Sequence, residues 1–267
     1  MKSSKISVIM AVYNGMPYVR QAVKSIIEQS YKNFEFIIVD DASTDETSNF
    51  LKSLKDKRIK IINNSKNIGL AASLNEALKV ASGQYIARMD ADDISSSKRL
   101  ETQLRYMEGH PQIALCGCWV DLINKDGKVI GEKKYPLKDQ DIKNALKWYQ
   151  PVVHPTFMAK NNFYKEMRGY NKLFDYAEDY ELLVRAMKKY KFANISKKLL
   201  LWRLADERRS RKSMNKVNKA DFRVKLEILK NNYYGKGYIV YVAKKFITTF
   251  VLPTNLKVFI AKKLKLA

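Results

Sequence analysis

The chain is short of the residues that staple a fold or span a membrane. Two cysteines, Cys116 and Cys118, occur in 267 residues. They lie two apart in the apolar run IALCGCWV, so on a strand both would point to one face. A disulfide there would be strained, and the pair alone cannot close a zinc site. A disulfide framework is thereby excluded, and the two read as reduced core thiols suited to a reducing cytosol. No apolar run reaches the ~18–20 residues of a membrane-spanning helix. The closest, residues 238–252, is broken by Lys244 and Lys245. The N-terminal run ISVIMAVY lacks the length and cleavage site of a secretory leader. Internal repeats and low-complexity tracts are absent as well, which excludes a solenoid or a polar disordered tract.

Acidic residues are scarce. The 27 Asp and Glu face 50 Lys and Arg, for a formal net charge of +23. Such a field attracts nucleic acid, anionic lipid or phosphorylated substrates without choosing among them. From Arg211 onward, 14 Lys and Arg meet only Asp221 and Glu227, so about half of the excess sits in this last part of the chain.

What is present is a core-forming chain, 46% apolar, long enough for one large α/β domain with an appendage. The first hundred residues alternate. KISVIMAV reads as a buried strand, PYVRQAVKSIIEQS as a helix, and FEFIIVD as a second strand. A helix opened by Ser43 or Thr44 follows, then the strand RIKII. The helix LAASLNEALKVAS stops at Gly83 before a fourth strand, QYIARMD. This alternation predicts a mostly parallel sheet with helices on both faces. In such sheets ligands bind beyond the carboxyl ends of the strands. Polar and acidic groups collect there: Tyr13-Asn14-Gly15, Asp40-Asp41-Ala42-Ser43 and Asp90-Ala91-Asp92-Asp93.

The following stretch reads as an α+β extension of the same unit: a helix over 97–108, a hairpin from IALCGCWVDLI to KVIGE, a helix near 138–148, a helix in YAEDYELLVRAMKKY and a final strand LLLWRL. Residues 1–214 are expected to form one domain, with a first half to about 95 and a second half over 96–214. Residues 215–267 read as a basic, amphipathic, helical C-terminal region.

Three aspartates within four residues repel one another unless protons or a cation neutralise them. A hard divalent ion, Mg²⁺ or Mn²⁺, takes such oxygen ligands and also bridges a diphosphate. At this point a resemblance becomes specific. ISVIMAVYNG, FEFIIVDDASTDET and KNIGLAASLNEALKVASGQYIARMDADD resemble the successive signatures of glycosyltransferase family 2, of the GT-A fold. HPTFM and YAEDYELLVR resemble its acceptor-side segments. The resemblance runs in order over roughly residues 5–210.

It implies a site. Ala11, Val12 and Tyr13 would lie against the donor base, and Asp40 or Asp41 would accept a hydrogen bond from it. Gly69 would lie near the nucleotide, Asp90 would reach the ribose, and Asp92 would hold the divalent metal. Asp179 resembles the family's catalytic base, which takes a proton from the acceptor hydroxyl during an inverting displacement. Glu178 would orient that base or bind a sugar hydroxyl. His154 would meet acceptor or diphosphate, and Arg203 would neutralise diphosphate. The resemblance further implies a nucleotide-sugar donor, a UDP-sugar first, and a glycan or lipid-linked glycan acceptor in bacterial surface-polysaccharide synthesis. The missing Gln-x-x-Arg-Trp signature points to single additions.

For the basic region, lysines spaced between Tyr, Phe, Ile and Val suit an interfacial helix on an anionic membrane, at the cytoplasmic face. No nucleic-acid motif accompanies the charge, which weakens a basic binding module. A nucleotidyltransferase would need a basic, glycine-rich loop after the first strand, where AVYNGMPY has neither Lys nor Arg.

Overall fold

The structure, a computed structural model, describes residues 4–204 and 213–251. Four strands form where the apolar runs lie: β1 (Ile6–Val12), β2 (Phe34–Asp40), β3 (Ile59–Asn63) and β4 (Tyr85–Arg88). They pair in parallel in the order β3-β2-β1-β4. The connections run through α1 (Val19–Ile27), α2 (Thr47–Lys52) and α3 (Leu70–Val80). Successive side chains of a strand point to opposite faces, and both faces here are buried. Val8, Met10, Phe36 and Ile38 enter one core with Val19, Val23 and Leu51; Ile9, Ile37 and Val39 enter a second core with Ala71 and Leu74.

Helix α2 starts later than Ser43 or Thr44, because those residues are engaged elsewhere. Ser43 Oγ accepts the Asn14 N–H at 3.0 Å, and Thr44 N–H donates to Asn14 Oδ1 at 2.8 Å. Asp45 Oδ1 instead receives the Thr47 N–H at 3.0 Å. The loops after β1 and β2 are thus stapled side by side at the carboxyl end of the sheet.

The second half continues the same sheet. It contains β5 (Ile94–Ser95), α4 (Arg99–Gly109), β6 (Ile113–Ile123), β7 (Val129–Lys133), α5 (Asp139–Ala145), β8 (Met158–Lys160), α6 (Asn161–Glu166), α7 (Glu178–Ala186) and β9 (Lys191–Arg203). The order runs on as β4-β8-β6-β9-β5, with β7 on β6. Strand β8 joins β4 antiparallel, so no seam separates the halves. Strand β9 is longer than the LLLWRL run. The exposed stretch Ser196-Lys197-Lys198 interrupts its apolar pattern, and a register shift opposite Cys118 and Trp119 lets the strand resume beyond it.

Past residue 213 come α8 (Met214–Lys230) and α9 (Tyr238–Phe246), then a π-helical turn at Ile247–Val251. Ala220, Val224 and Ile228 of α8, with Tyr238 and Val242 of α9, are buried in the same core as Leu182 and Leu183 of α7. This part of the basic region is therefore packed into the domain rather than appended to it. Residues 252–267, the rest of the expected basic region, lie outside the described residues. No helix among the described residues is long and apolar enough to cross a membrane.

Candidate active site

The loops at the carboxyl end of the sheet are built around two aspartates. The Asp41 main chain follows β2 and donates to Val12 O at 2.8 Å. Its Oδ1 accepts Asn64 Nδ2 at 2.8 Å and the Ile68 N–H at 2.9 Å, and its Oδ2 accepts the Gly69 N–H at 2.9 Å. Gly69 stands at φ +87°, a conformation a side chain would strain, at the start of α3. Asp41 thus fixes the loop that leads into α3. Asp40 Oδ1 receives the Ser43 N–H at 3.0 Å, and both aspartates are buried. Beside them Ala11 and Val12 lie low in the sheet, while Tyr13 presents a half-exposed ring.

The acidic triplet follows β4. One carboxylate oxygen from each of Asp90, Asp92 and Asp93 lies within 4.8 Å of the others. Hard oxygen donors so grouped suit a divalent cation such as Mg²⁺ or Mn²⁺. Asp92 is partly exposed, whereas Asp93 is buried. Arg88, fully buried at the end of β4, pairs through Nη2 with Asp90 Oδ1 at 2.5 Å. Burial works to lower its pKa, but the Asp90 charge and hydrogen bond outweigh it and the guanidinium stays charged.

Arg203 is not the open cation expected to meet a diphosphate. It is 1% exposed, and its donors are taken up by the protein. Nε donates to Asp92 O at 2.8 Å, Nη1 to Asn124 O at 3.1 Å and Lys125 O at 2.8 Å, and Nη2 to Gln21 Oε1 at 2.8 Å. Its main-chain N–H donates to Asp93 Oδ1 at 2.8 Å, and the guanidinium stacks 4.4 Å from the Tyr18 ring. A planar group with five donors suits this bracing of two loops and helix α1. The terminal residue of β9 meets the back of the acidic loop, not solvent.

A second cluster sits at the start of α7. Helix N-termini favour negative charge, and Glu178 and Asp179 occupy the first turn. Asp179 Oδ2 accepts Gln150 Nε2 at 2.9 Å, and its Oδ1 accepts the Tyr180 N–H at 2.8 Å. Its side chain keeps 24% exposure, while Glu178 is buried. Burial raises the Asp179 pKa above its usual value, against the lowering effects of the Tyr180 N–H, the Arg88 charge and Gln150. His154, buried in the short turn before β8, has Nδ1 3.9 Å from Glu178 Oε1 and 4.0 Å from Asp179 Oδ2. Its Nε2 lies 2.9 Å from Tyr170 Oη, which lies 3.0 Å from Tyr164 Oη. Burial, helped by the Arg88 charge, drives the His154 pKa well below its usual value. The ring is therefore neutral, and its carboxylate contacts are dipolar rather than ionic.

Arg88 connects the two clusters. It holds Asp90, and its charge also acts on Glu178, Asp179 and His154. Arg99 braces this arrangement from below, donating to Arg88 O at 2.6 Å and Pro155 O at 2.9 Å. Arg88, Arg99, Gln150 and Tyr170 were not singled out from the sequence. Arg88 left a trace, a lone cation ending the apolar strand of IARMDADD. Gln150 and Tyr170 left none, since each is a single polar residue in an irregular segment with no periodic or motif signal, and only folding turns it toward His154 or Asp179.

Residues 7–167 match the family Glycosyl transferase family 2. The O-antigen biosynthesis glycosyltransferase WbnJ of Escherichia coli is 36% identical over 208 residues, covering 74% of this chain and 79% of WbnJ. Two solved structures share the fold at low identity. TarS 1–349 of S. aureus in complex with UDP-GlcNAc superposes with a TM-score of 0.70 at 18% identity, over 91% of this chain and 73% of that one. The mannosyltransferase PcManGT of Pyrobaculum calidifontis, in complex with GDP-Man and Mn²⁺, gives 0.66 at 17% identity, over 100% and 82%. The architecture is the GT-A type.

Proposed function

The chain belongs to glycosyltransferase family 2, and from that membership we propose an inverting, metal-assisted transfer of a sugar from a UDP-sugar to a hydroxyl of a glycan or lipid-linked glycan. The observation that carries this reading is the position of Arg88. One buried guanidinium pairs with Asp90, in the cluster suited to a nucleotide and its cation, and its charge also bears on Asp179, suited to accept a proton.

In this reading the base stacks beside Tyr13 and reaches the loop ordered by Asp40 and Asp41, with Gly69 close by. Asp90 receives the ribose and Asp92 holds Mn²⁺ or Mg²⁺. The ion supplies charge stabilisation for the departing diphosphate. Asp179 takes the proton of the acceptor hydroxyl as that oxygen bonds to the anomeric carbon. The bond from this carbon to the diphosphate breaks on the opposite side, so an α-linked donor yields a β-linked product. Glu178 and neutral His154 orient Asp179 and the incoming sugar. A base with a raised pKa is better matched to a hydroxyl proton near neutral pH.

Three names support the substrate classes. WbnJ is named for O-antigen biosynthesis, TarS holds UDP-GlcNAc, and the mannosyltransferase holds GDP-Man with Mn²⁺. We place the reaction at the inner face of a cell membrane, where the basic C-terminal region meets anionic lipid. The test is Asp179→Asn, assayed for transfer from UDP-sugars with Mn²⁺. Transfer should fall by about 10²–10⁴-fold with donor affinity nearly unchanged. Wild-type turnover in that variant would remove Asp179 as the base.

A further inference from the structure

We propose that the outer face of α9 and of the turn after it, together with Trp148 and Tyr149, docks on an anionic phospholipid bilayer and so brings the Asp179 side of the site to a lipid-linked acceptor. The acceptor half of this statement rests on the transferase reading; the docking half does not.

Helix α9 is apolar on both sides. Tyr238 and Val242 face the core. On the outside stand Ile239 at 57% and Val240 at 71% exposure, continued by exposed Ile247 and Val251. A surface helix ordinarily turns charged residues outward, whereas here Ile239 and Val240 share the outer side with exposed Lys244. Nothing among the described residues covers this side. Beside it lies a cleft of about 520 Å³ lined by Trp148, Gly237, Val240, Tyr241, Lys244 and Lys245. Trp148 and Tyr149 are half-exposed next to it, and the Trp148 ring meets Tyr241 edge-on at 4.4 Å.

The chemistry of the rim selects the occupant. Lys236 and Lys244 are exposed on either side of the apolar strip. Between residues 213 and 251, eight Lys and Arg meet only Asp221 and Glu227. Apolar side chains flanked by lysine, with Trp and Tyr at the edge, match the layering of a bilayer: acyl chains, then the carbonyl region, then anionic headgroups. A second copy of the chain fits poorly, since a two-fold contact would set lysines against lysines. A nucleic acid would leave the apolar strip unmatched. Residues 252–267 add Lys257, Lys262, Lys263 and Lys265 and no acid, so they extend the same charge and do not complement it.

The face is tied directly to the catalytic side. Tyr238 Oη donates to Lys147 O at 2.9 Å, which fixes the segment before Trp148 against α9. Two residues after Trp148, Gln150 donates to Asp179. A bilayer meeting Trp148 therefore lies next to the loop that holds the base, and the acceptor that fits is a sugar carried on a lipid.

The experiment uses the full chain and vesicles of phosphatidylglycerol with phosphatidylcholine, or phosphatidylcholine alone. Wild type should sediment with the anionic vesicles, and brominated lipid should quench its fluorescence through Trp148, a signal lost in Trp148→Phe. The double variant Ile239→Glu/Val240→Glu should bind about tenfold or more weakly, with unchanged circular dichroism and unchanged binding of UDP with Mn²⁺. Wild-type vesicle affinity in the double variant would overturn the proposal. So would a dimer that the same substitutions dissociate, without any vesicle binding. So would loss of vesicle binding on removing residues 252–267 when the double variant binds normally. Vesicle binding by a chain that fails to bind UDP would keep the docking face and remove the UDP-sugar donor from the proposed function.

Discussion

The guanidinium of Arg203 donates from Nε to the main-chain oxygen of Asp92 at 2.8 Å, across 111 residues of sequence. The last residue of β9 therefore holds the loop on which a cation would sit. The main-chain N–H of the same residue reaches Asp93. Both acidic neighbours thus depend on one strand end, and the acidic loop is held from behind.

Replacing Arg203 with Met should destabilise the fold by about 2–5 kcal/mol, because it leaves several buried acceptors without their donor. Urea unfolding measures this. Arg203→Lys should recover little, since one ammonium cannot span the directions that the planar group serves. A midpoint equal to wild type in both variants would show that the brace carries no stability.

Asp92→Ala should abolish the gain in UDP affinity that Mn²⁺ confers, while UDP alone binds as before. Titration calorimetry with and without the ion reads this difference, expected at about tenfold or more. An undiminished Mn²⁺ effect would move the cation to other ligands.

With Asp179 as the proposed base, its raised pKa should put the acidic limb of the kcat/KM profile above the ordinary aspartate range. Activity should appear as pH rises through that pKa, because the base must be ionised. Gln150 donates to the carboxylate and so favours its charged form. Gln150→Leu removes that donor, raises the pKa and should move the limb to higher pH. A limb that stays put would show that Gln150 does not bear on the base.

Ile228, fully buried in α8, belongs to the core beneath α7. Ile228→Ala should cost about 2–5 kcal/mol, read as a lower urea midpoint. A surface tail would tolerate the change, so an unchanged midpoint would argue that α8 is peripheral to the domain.

Strong, short-range patterns made much of this readable. The four parallel strands are near-continuous apolar runs, and the acids at their ends mark the ligand side because parallel sheets bind there. The β6–β7 hairpin and the helical character of 178–186 and 214–230 follow from local periodicity in the same way. Strand β9 is longer than its apolar run, because three exposed polar residues break the pattern while pairing with β6 carries the strand through.

By itself, then, the sequence determined the fold class, the family and the chemical character of the strand-end acids, since all three are written in residue type and spacing. Only the tertiary structure decided which charges are buried against protein and which stay exposed. Arg203 and Arg88 look alike as isolated basic residues. One became a buried brace and the other a link between two acidic clusters, because burial and partner geometry arise from contacts between segments far apart in the chain. The same reason put one face of α8 and of α9 into the core and left Ile239 and Val240 of α9 facing outward.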